Sequence, residues 1–316
     1  MEQIQHRHVQ VRGPKVVLFL HGFPEIWYSW RHQMVAVANK GHRAIAIDFR
    51  GYGLSEQPAE PEKATFKDLV DDVVALLDSL SIDKAVLVGK DFGAFPAYVI
   101  PSLHPQRVSG MITVGVPFMQ PDASPVQFHL LPKGFYMSRL KEPGRAEADF
   151  GRFDLKTVIR NIYILFSGNL AAYASLYEKS GLHFPLQIPY RSRRSSEDYH
   201  LTDPKISAPS LLIMGEKDYF LKFPGVEDYL RTGEVKHFVP DLDINFIAEG
   251  THFVQEQFPE QVNQLITSFL DKHVRYSPSG WKWEEMHCKE LTSDLIALVG
   301  YFLKPMNSQH SLAAAQ

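Results

Sequence analysis

The chain has 316 residues, of which 45% are hydrophobic and 22% are charged, and its formal net charge is −3. This length suffices for one large domain with an inserted subdomain, and the hydrophobic share argues against disorder. A slightly acidic chain gives no electrostatic reason to expect a nucleic acid or an anionic membrane as partner. The single cysteine, Cys288, excludes an internal disulfide framework and a thiolate metal cluster.

Neither end of the chain carries a pattern typical of membrane insertion. Residues 1–7 are polar and lack the apolar core of a signal peptide. The longest apolar run near the end, residues 295–303, is too short to span a bilayer. We therefore expect a cytoplasmic protein without a membrane span.

Apolar runs rich in strand-forming residues recur along the chain and predict strands that are buried on both faces of a parallel sheet. The runs are Val16–Leu20, Arg43–Ile47, Ala85–Val88, Val108–Val116 and Ser210–Met214. Between them lie helical patterns, one beginning after the N-cap Thr65 with Asp68 in its first turn, another spanning Gln261–Phe269. The alternation of strand and helix predicts a doubly wound α/β fold with a mostly parallel sheet.

The alternation stops between residues 117 and 208, where the chain is helical in character and rich in tyrosine, phenylalanine and arginine. We predict that residues 1–116 and 209–273 form the α/β core and that 117–208 form an inserted helical lid, a kind of insertion that often covers an active site. Residues 274–316 break the pattern again and are interpreted as an appended tail, partly disordered or folded into a short helix.

A five-residue turn, Gly89–Gly93 with sequence GKDFG, joins a predicted buried strand to an apolar helix. In α/β-hydrolases this strand–turn–helix carries Gly-x-Ser-x-Gly, and the turn is so tight that its flanking residues must be small. Here the exposed side chain is the carboxylate of Asp91. A carboxylate attacks a saturated carbon without an activating base and forms an alkyl ester, so epoxides and haloalkanes are suitable substrates and peptides are not.

An acid and a histidine follow the nucleophile in the chain order of α/β-hydrolases. Asp218 comes directly after a predicted strand, and His252 precedes the last long helix pattern. We predict that His252 deprotonates the water that hydrolyses the ester and that Asp218 orients the imidazole. Three other carboxylates are rival candidates for the acid: Asp48, Glu216 and Asp243.

Hydrogen-bond donors are needed at two oxygens of this reaction. For the oxyanion formed at the ester, the candidate donors are the main-chain N–H groups of Phe23 and Phe92. For the epoxide oxygen, tyrosine hydroxyls from the lid are suitable, and Tyr136 and Tyr190 are the candidates. Three further lid tyrosines are alternatives: Tyr163, Tyr173 and Tyr177.

The sequence indicates no metal site, phosphate loop or cofactor site. His6 and His8 lie in a polar segment without carboxylates at ligand spacing, and Gly51–Gly53 lacks the context of a dinucleotide-binding or phosphate-binding loop. His21, in the turn after the first predicted strand, is interpreted as a structural histidine.

These motifs together resemble those of the soluble epoxide hydrolases, in particular the short plant-type branch. The likeness covers about residues 15–273. The matching segments are HGFPE at 21–25, WYSWR at 27–31, DFRGYG at 48–53, KDFGA at 90–94, EPG at 142–144, GEKD at 215–218 and GTHF at 250–253.

The resemblance implies an epoxide hydrolase with Asp91 as nucleophile, Asp218 and His252 as the water-activating pair, and Tyr136 and Tyr190 as the lid tyrosines. It also implies lipid or aromatic epoxides as substrates, no cofactor, and a cis bond between Phe23 and Pro24. A monomer and a homodimer are both compatible with it.

The chain departs from this family in several places. The family usually has His-Asp-Trp at the turn, where this chain has Lys90, Asp91 and Phe92. Compared with the family, we further expect one strand fewer before Val16 and a lid that is shortened at about residues 167–170. Pro101 falls inside or at the end of the helix after the turn, where an interior proline costs about 3 kcal/mol unless it sits at a kink.

Two other functions remain open. A haloalkane or haloacid dehalogenase shares the aspartate nucleophile, but such enzymes commonly use a tryptophan N–H beside it to bind the halide, which Phe92 lacks. A ligand-binding paralogue with weak or no catalysis is the other alternative, suggested by Lys90, Pro101 and the shortened lid.

Overall fold

A computed structural model describes residues 8–10, 15–119, 135–162, 170–192, 199 and 204–274. The expectations for the tail beyond residue 274, for a shortened lid at residues 167–169 and for Tyr163 lie outside these described residues. The N-terminal segment 1–7 also lies outside them.

The described residues contain strands β1 to β7 and helices α1 to α11. The strands are β1 His8–Gln10, β2 Val16–Leu20, β3 Arg43–Ile47, β4 Ala85–Lys90, β5 Val108–Val114, β6 Ser210–Gly215 and β7 Leu242–Ile247. The helices are α1 Arg31–Asn39, α2 Phe66–Ser79, α3 Ala94–Leu103, α4 Tyr136–Lys141, α5 Arg145–Phe150, α6 Leu155–Ile162, α7 Leu170–Ser180, α8 His183–Leu186, α9 Val226–Arg231, α10 Val254–Gln257 and α11 Pro259–His273.

In the described part of the chain, the seven strands form one sheet in the order β1-β3-β2-β4-β5-β6-β7. The pairs from β3 to β7 are all parallel, and only β1 runs antiparallel, against β3. The predicted α/β fold with a mostly parallel sheet is therefore confirmed. One strand, His8–Gln10, lies before Val16 and pairs with Ile45–Ile47; that the family has one strand more here stays a prediction. Three residues are too short a run for a period of two to stand out in the sequence.

The central strands are buried along their whole length, as their apolar sequences predicted. Every residue of β2, β4 and β6 is buried. Strand β7 was not predicted, because it lies at the edge of the sheet, where only its end residues Leu242 and Ile247 are buried and the four residues between them are more exposed. A strand with one neighbour and one solvated face carries no continuous apolar run.

Helix α2 begins as the sequence predicted, with Thr65 as its N-cap. The N–H and the hydroxyl of Thr65 both donate to Asp68 Oδ2, at 2.7 and 2.9 Å. The bond from the Thr65 N–H satisfies a main-chain donor that lies before the first helical turn. The buried face of α2 consists of Phe66, Leu69, Val70, Asp72, Val73, Leu76 and Leu77.

Helix α3 follows the GKDFG turn and contains Pro101 two residues before its last residue, Leu103. A proline here removes one main-chain donor, which would otherwise bond four residues back. Because the helix ends within three residues, the ring interrupts its last turn and leaves the start of the helix, behind Asp91, intact.

Helices α4 to α8 lie between β5 and β6, and we call residues 135–192, where described, the inserted segment. Arg191 holds its two ends together: Nη1 and Nη2 lie 2.6 and 2.8 Å from the Glu147 carboxylate, and Nε donates to the Leu140 carbonyl at 3.2 Å. Leu140, Ala146 and Leu186 form a small apolar cluster beside this ion pair. Tyr190 packs against that cluster, so the inserted segment has a small apolar core of its own.

The core holds the inserted segment through the turn after β3. The buried Tyr52 hydroxyl donates to the carbonyl of Ile188 at 2.7 Å. Gly51 has a φ of 75°, and a Cβ at this position would lie 2.2 Å from the Phe184 ring. Only glycine fits such a contact and such a φ. None of the described helices is both long and apolar enough to cross a membrane.

Candidate active site

The turn between β4 and α3 presents Asp91 at the carboxyl edge of the sheet, in a left-handed conformation with a φ of 51°. Its flanks have no room for a side chain. A Cβ at Gly89 would lie 2.4 Å from the Gly93 carbonyl, and one at Gly93 would lie 2.3 Å from the His21 carbonyl. The tight turn that the two glycines predicted is therefore present, and it holds Asp91 in a conformation that non-glycine residues rarely adopt.

The two carboxylate oxygens of Asp91 have different partners. Oδ1 accepts a hydrogen bond from the main-chain N–H of Phe23 at 3.1 Å. Oδ2 lies 3.2 Å from His252 Nε2. The Asp91 side chain retains 22% of its exposure, so it is open on its remaining side. The loop that carries Phe23 can lie this close to Asp91 because residue 22 is glycine: a Cβ at Gly22 would lie 2.3 Å from Asp91 Cβ.

His252 lies between Asp91 and Asp218, which is fully buried. Its Nδ1 lies 3.1 and 3.0 Å from the two Asp218 oxygens. Asp218 Oδ1 also accepts from the Phe220 N–H at 2.8 Å, which fixes the carboxylate at the end of β6. The structure thus brings the three predicted residues into one hydrogen-bonded chain.

The rival acids lie elsewhere. Asp48 is buried, and it accepts hydrogen bonds from the N–H groups of Trp27 and Leu54 at 2.9 and 3.0 Å. Glu216 pairs with Arg231 at the surface. Asp243 likewise forms an exposed ion pair, with Lys272 at 3.2 Å.

Asp91 and His252 stabilise each other's charged forms. Burial alone would raise the pKa of Asp91, but the hydrogen bond and charge of His252, the charge of Lys90 and the Phe23 N–H together lower it to about 2. Burial and the charge of Lys90 lower the pKa of His252, but Asp218 and Asp91 outweigh them and raise it to about 9. At neutral pH the resting site therefore holds an imidazolium between two carboxylates.

Lys90, the departure from the usual histidine, is fully buried behind the nucleophile. Its Nζ lies 3.8 Å from Glu25 Oε2 and 5.1 Å from the centre of the Phe253 ring. Burial raises the pKa of Glu25 to about 7, although the charge of Lys90 opposes this shift. Glu25 also accepts from the Gly22 N–H at 3.2 Å and from the Gln255 amide. The sequence revealed the unusual Lys90 but not its partner, which lies 65 positions away.

The two predicted tyrosines, Tyr136 and Tyr190, lie on the inserted segment. Tyr190 packs edge-on against the Phe23 ring, with centroids 5.4 Å apart. Burial, followed by the influence of Tyr136 and Asp91, raises the pKa of the Tyr190 hydroxyl. Tyr136 donates a hydrogen bond to the Tyr219 hydroxyl at 3.2 Å. Both hydroxyls are within electrostatic reach of Asp91.

Sequence reasoning missed Tyr219. This residue follows Asp218 directly, and its ring lies 4.8 Å from the His252 ring. Its position beside a predicted triad residue was the available signal. Of the two alternative tyrosines that the structure describes, Tyr173 donates to Glu256, and Tyr177 is wholly buried with its ring against that of Tyr52.

The loop after β2 carries the predicted Phe23 donor and the structural His21. His21 Nε2 accepts from the Phe49 N–H at 3.1 Å, and Nδ1 lies 2.9 Å from the Gly22 carbonyl. Burial lowers the pKa of His21 to about 4, so the ring is neutral. The bond between Phe23 and Pro24 is cis, which confirms what the resemblance implied.

Phe92, the second predicted oxyanion donor, directly follows Asp91 in the turn. Its buried ring packs against His21, Phe49 and Tyr52. The direction of its N–H toward an oxyanion stays a prediction. Among the described residues, no group of three or more histidine, cysteine, aspartate or glutamate side chains is arranged to hold a metal ion.

Known proteins resemble this chain in sequence. The α/β hydrolase fold family matches residues 15–222. Epoxide hydrolase 2 of Siraitia grosvenorii is 32% identical over 86% of this chain and 100% of that protein. The chain belongs to the epoxide hydrolase family. Epoxide hydrolase 4 of Mus musculus is another relative, 31% identical over 84% of this chain and 75% of its own length.

Solved epoxide hydrolases have the same fold. The enzyme VrEH1 from Vigna radiata superposes with a TM-score of 0.77 at 33% identity, covering 85% of this chain and 98% of that one. Epoxide hydrolase I of potato, Solanum tuberosum, gives a TM-score of 0.76 at 29% identity, covering 85% and 100%. As an epoxide hydrolase family member with the α/β-hydrolase fold, this chain is a hydrolase.

Proposed function

We propose that the protein hydrolyses epoxides to vicinal diols through an alkyl ester on Asp91. One observation carries the proposal: a carboxylate, held in a left-handed turn, is bonded to a main-chain N–H through one oxygen and to His252 through the other. Its relatives named epoxide hydrolases support the substrate class.

In the first half-reaction, an Asp91 oxygen attacks an epoxide carbon, and the carbon–oxygen bond of the ring breaks with its electron pair going to oxygen. Tyr136 and Tyr190 bind this oxygen, and one of them gives it a proton. Burial raises the pKa of both hydroxyls, so they stay protonated and able to donate at any working pH. The product is a hydroxyalkyl ester and a tyrosine oxyanion.

Ester formation prepares the second half-reaction. Esterified Asp91 no longer carries the negative charge that raises the pKa of His252, so the imidazolium releases its proton and restores the tyrosine. Neutral His252 then takes a proton from water, and the hydroxide attacks the Asp91 carbonyl. The N–H groups of Phe23 and Phe92 bind the resulting oxyanion.

The ester carbon–oxygen bond then breaks, and the diol oxygen takes the proton that His252 had accepted. Asp91 is left as a carboxylic acid, and loss of its proton returns His252 to the imidazolium of the resting site. Asp218 orients the imidazole throughout. The atoms of one water and one epoxide are thereby accounted for in one diol.

The substrate that fits best is a small apolar epoxide, lipid or aromatic. Aromatic rings lie near Asp91 and His252, since Tyr190 packs on Phe23, and Tyr219 and Phe253 pack on His252. Such rings offer apolar contact to a substrate, and the tyrosines add hydroxyls for its oxygen. The rings are those of Phe23, Tyr136, Tyr190, Tyr219 and Phe253. The inserted segment acts as the lid of this pocket. A cytoplasmic location and a monomer or homodimer remain predictions.

A trapping experiment tests the proposal. His252→Gln with styrene oxide should accumulate protein whose mass is increased by one substrate, on the peptide that contains Asp91. Asp91→Asn should show neither adduct nor diol, because a neutral amide is a poor nucleophile. Absence of the adduct in His252→Gln, together with absence of diol from the unmodified protein, contradicts the proposal.

The same protein distinguishes the two alternatives. Halide release from haloalkanes without diol from epoxides would indicate a dehalogenase; no observation in the structure favours this, since the buried Phe92 ring has no N–H for a halide. Binding of epoxides without adduct or product, in protein that unfolds cooperatively, would indicate a ligand-binding paralogue.

A further inference from the structure

Tyr219 joins two parts of the site that the proposed reaction uses separately. Its hydroxyl accepts a hydrogen bond from the Tyr136 hydroxyl, with the oxygens 3.2 Å apart. Its ring lies tilted by 45° against the His252 ring, with centroids 4.8 Å apart. It therefore reaches from the core, beside the water-activating pair, to the inserted segment.

The position of Tyr219 is fixed from the core side. It is the first residue of the 3₁₀ helix Tyr219–Lys222, and Asp218 caps this helix through the Phe220 N–H at 2.8 Å. Tyr136 is instead the first residue of α4, in the inserted segment. The hydroxyl pair is thus a contact between a residue of the core and a residue of the inserted segment.

We propose that Tyr219 is a positioning residue for epoxide opening, which acts by hydrogen-bonding to Tyr136 while Tyr136 donates to the substrate oxygen. This inference rests on the proposed function. It assigns a role to a residue that does not touch the substrate oxygen itself.

The chemistry follows from the hydrogen-bonding capacity of a hydroxyl, which has one donor and two acceptor lone pairs. In the resting site the Tyr136 proton points to Tyr219. When Tyr136 turns that proton toward the epoxide oxygen, the same contact reverses and Tyr219 donates. As the ring opens, the proton of Tyr136 passes to the new alkoxide and negative charge develops on Tyr136, which the Tyr219 proton then faces; Tyr219 keeps its own proton.

Hydrogen bonds to charged groups are about twice as strong as neutral ones, so this contact strengthens as the ring opens and lowers the barrier to ester formation. The charges near Tyr136 agree with this assignment. Burial raises its pKa, the Tyr219 hydroxyl acts in the opposite direction, and the carboxylates of Asp91 and Asp218 raise it further.

The test measures ester formation alone. In His252→Gln, where the ester should accumulate, rapid quenching and mass spectrometry give the rate at which styrene oxide attaches to Asp91. Adding Tyr219→Phe should slow this rate by about tenfold, the order expected for one charge-assisted hydrogen bond. Tyr229→Phe is the matched control, because it also removes one hydroxyl, which donates to the Phe118 carbonyl at 3.1 Å outside the site; it should leave the rate unchanged.

A second background shows whether Tyr219 acts through Tyr136. This background carries both His252→Gln and Tyr136→Phe, so that Tyr190 is the remaining proton donor. Adding Tyr219→Phe to it should cause no further loss in the rate of ester formation. An equal loss in both backgrounds would overturn the proposal. So would unchanged ester formation combined with slower ester hydrolysis in protein that retains His252, since Tyr219 would then act on the imidazole.

The outcomes separate this inference from the function on which it rests. If the ester forms at the same rate in every variant, the proposed role of Tyr219 is wrong and the alkyl-ester mechanism stands. If no variant forms the ester, the mechanism itself fails. Phenylalanine keeps the ring contact with His252, and thermal unfolding of each variant verifies that the fold is retained.

Discussion

Asp91 and His252 form an ion pair in the resting site, yet the proposed mechanism requires a neutral His252 to activate water. The structure contains a physical solution. Part of the stabilisation of the imidazolium comes from its hydrogen bond to the Asp91 carboxylate, and the proposed ester would remove the charge of that carboxylate. Buried Lys90 acts in the same direction, because its charge disfavours the imidazolium.

This argument predicts the pH dependence of ester hydrolysis. The pKa of His252 is about 9 in the free protein, and it should be lower once Asp91 is esterified. The rate constant for ester hydrolysis should therefore fall as the pH decreases, with a midpoint clearly below 9. Single-turnover experiments between pH 5 and 10 measure it, and a midpoint at or above 9 would contradict the argument.

Sequence reasoning selected Asp91, Asp218 and His252, and the structure brings them together. It succeeded because Asp91 and Asp218 follow strands with recognisable apolar runs, whose carboxyl ends meet at one edge of the sheet, and because His252 precedes a recognisable helix in the chain order of α/β-hydrolases. The contact between Tyr136 and Tyr219 could not be predicted in this way. It depends on how a helical insertion packs against the core, and neither partner has a local signal for the other.

At the scale of elements, the inserted segment is held by two kinds of contact. Arg191 and Glu147 fix its internal geometry, and Tyr52 fixes it to the core through the Ile188 carbonyl. Tyr190 follows that carbonyl by two residues. The position of a proposed proton donor therefore depends on a buried hydroxyl from the turn after β3.

Tyr52→Phe tests this dependence. Removing the hydroxyl leaves the Ile188 carbonyl without this donor, so we expect a loss of about 1–3 kcal/mol in the free energy of unfolding. We also expect ester formation in the His252→Gln background to slow several-fold, because Tyr190 is less well fixed. Urea unfolding and quenched-flow mass spectrometry measure the two effects. A loss of stability with an unchanged rate would show that Tyr52 serves only the fold.

The elements that sequence reasoning missed lie at the edges of the sheet. β1 consists of three residues, and in β7 only the two end residues are buried. Central strands such as β4 carry uninterrupted apolar runs and were predicted to within two residues of their ends. Burial on both faces is what makes a strand conspicuous in a sequence, and edge strands lack it.

At the scale of the whole molecule, the ion pair between Asp91 and His252 contributes to folding in a limited pH range. The pKa of Asp91 is lowered from 3.8 to about 2, so its contribution is complete above pH 3.8 and is lost as the pH falls through 2. The pKa of His252 is raised from 6.5 to about 9, so its contribution is complete below pH 6.5 and is lost as the pH rises through 9.

His252→Gln should therefore reduce the free energy of unfolding most between about pH 4 and 6.5, and progressively less toward pH 9.5. Urea unfolding of both proteins across this range measures the difference. Buried Asp48 and Glu25, whose pKa values burial raises to about 7, titrate in both proteins and largely cancel in the comparison. A difference that does not vary with pH would be contrary to this account.

In the proposed mechanism, the proton donors to the epoxide and the water-activating pair come from separate parts of the polypeptide. The hydroxyls of Tyr136 and Tyr190 come from the insertion between β5 and β6, whereas His252 and Asp218 come from loops of the core. We therefore predict that mutations in the insertion change which molecules enter and how they lie against Asp91, and leave the proposed water-activating pair unchanged. For directed evolution, this arrangement makes the insertion the place to seek new substrate ranges and leaves the core loops as the part to preserve.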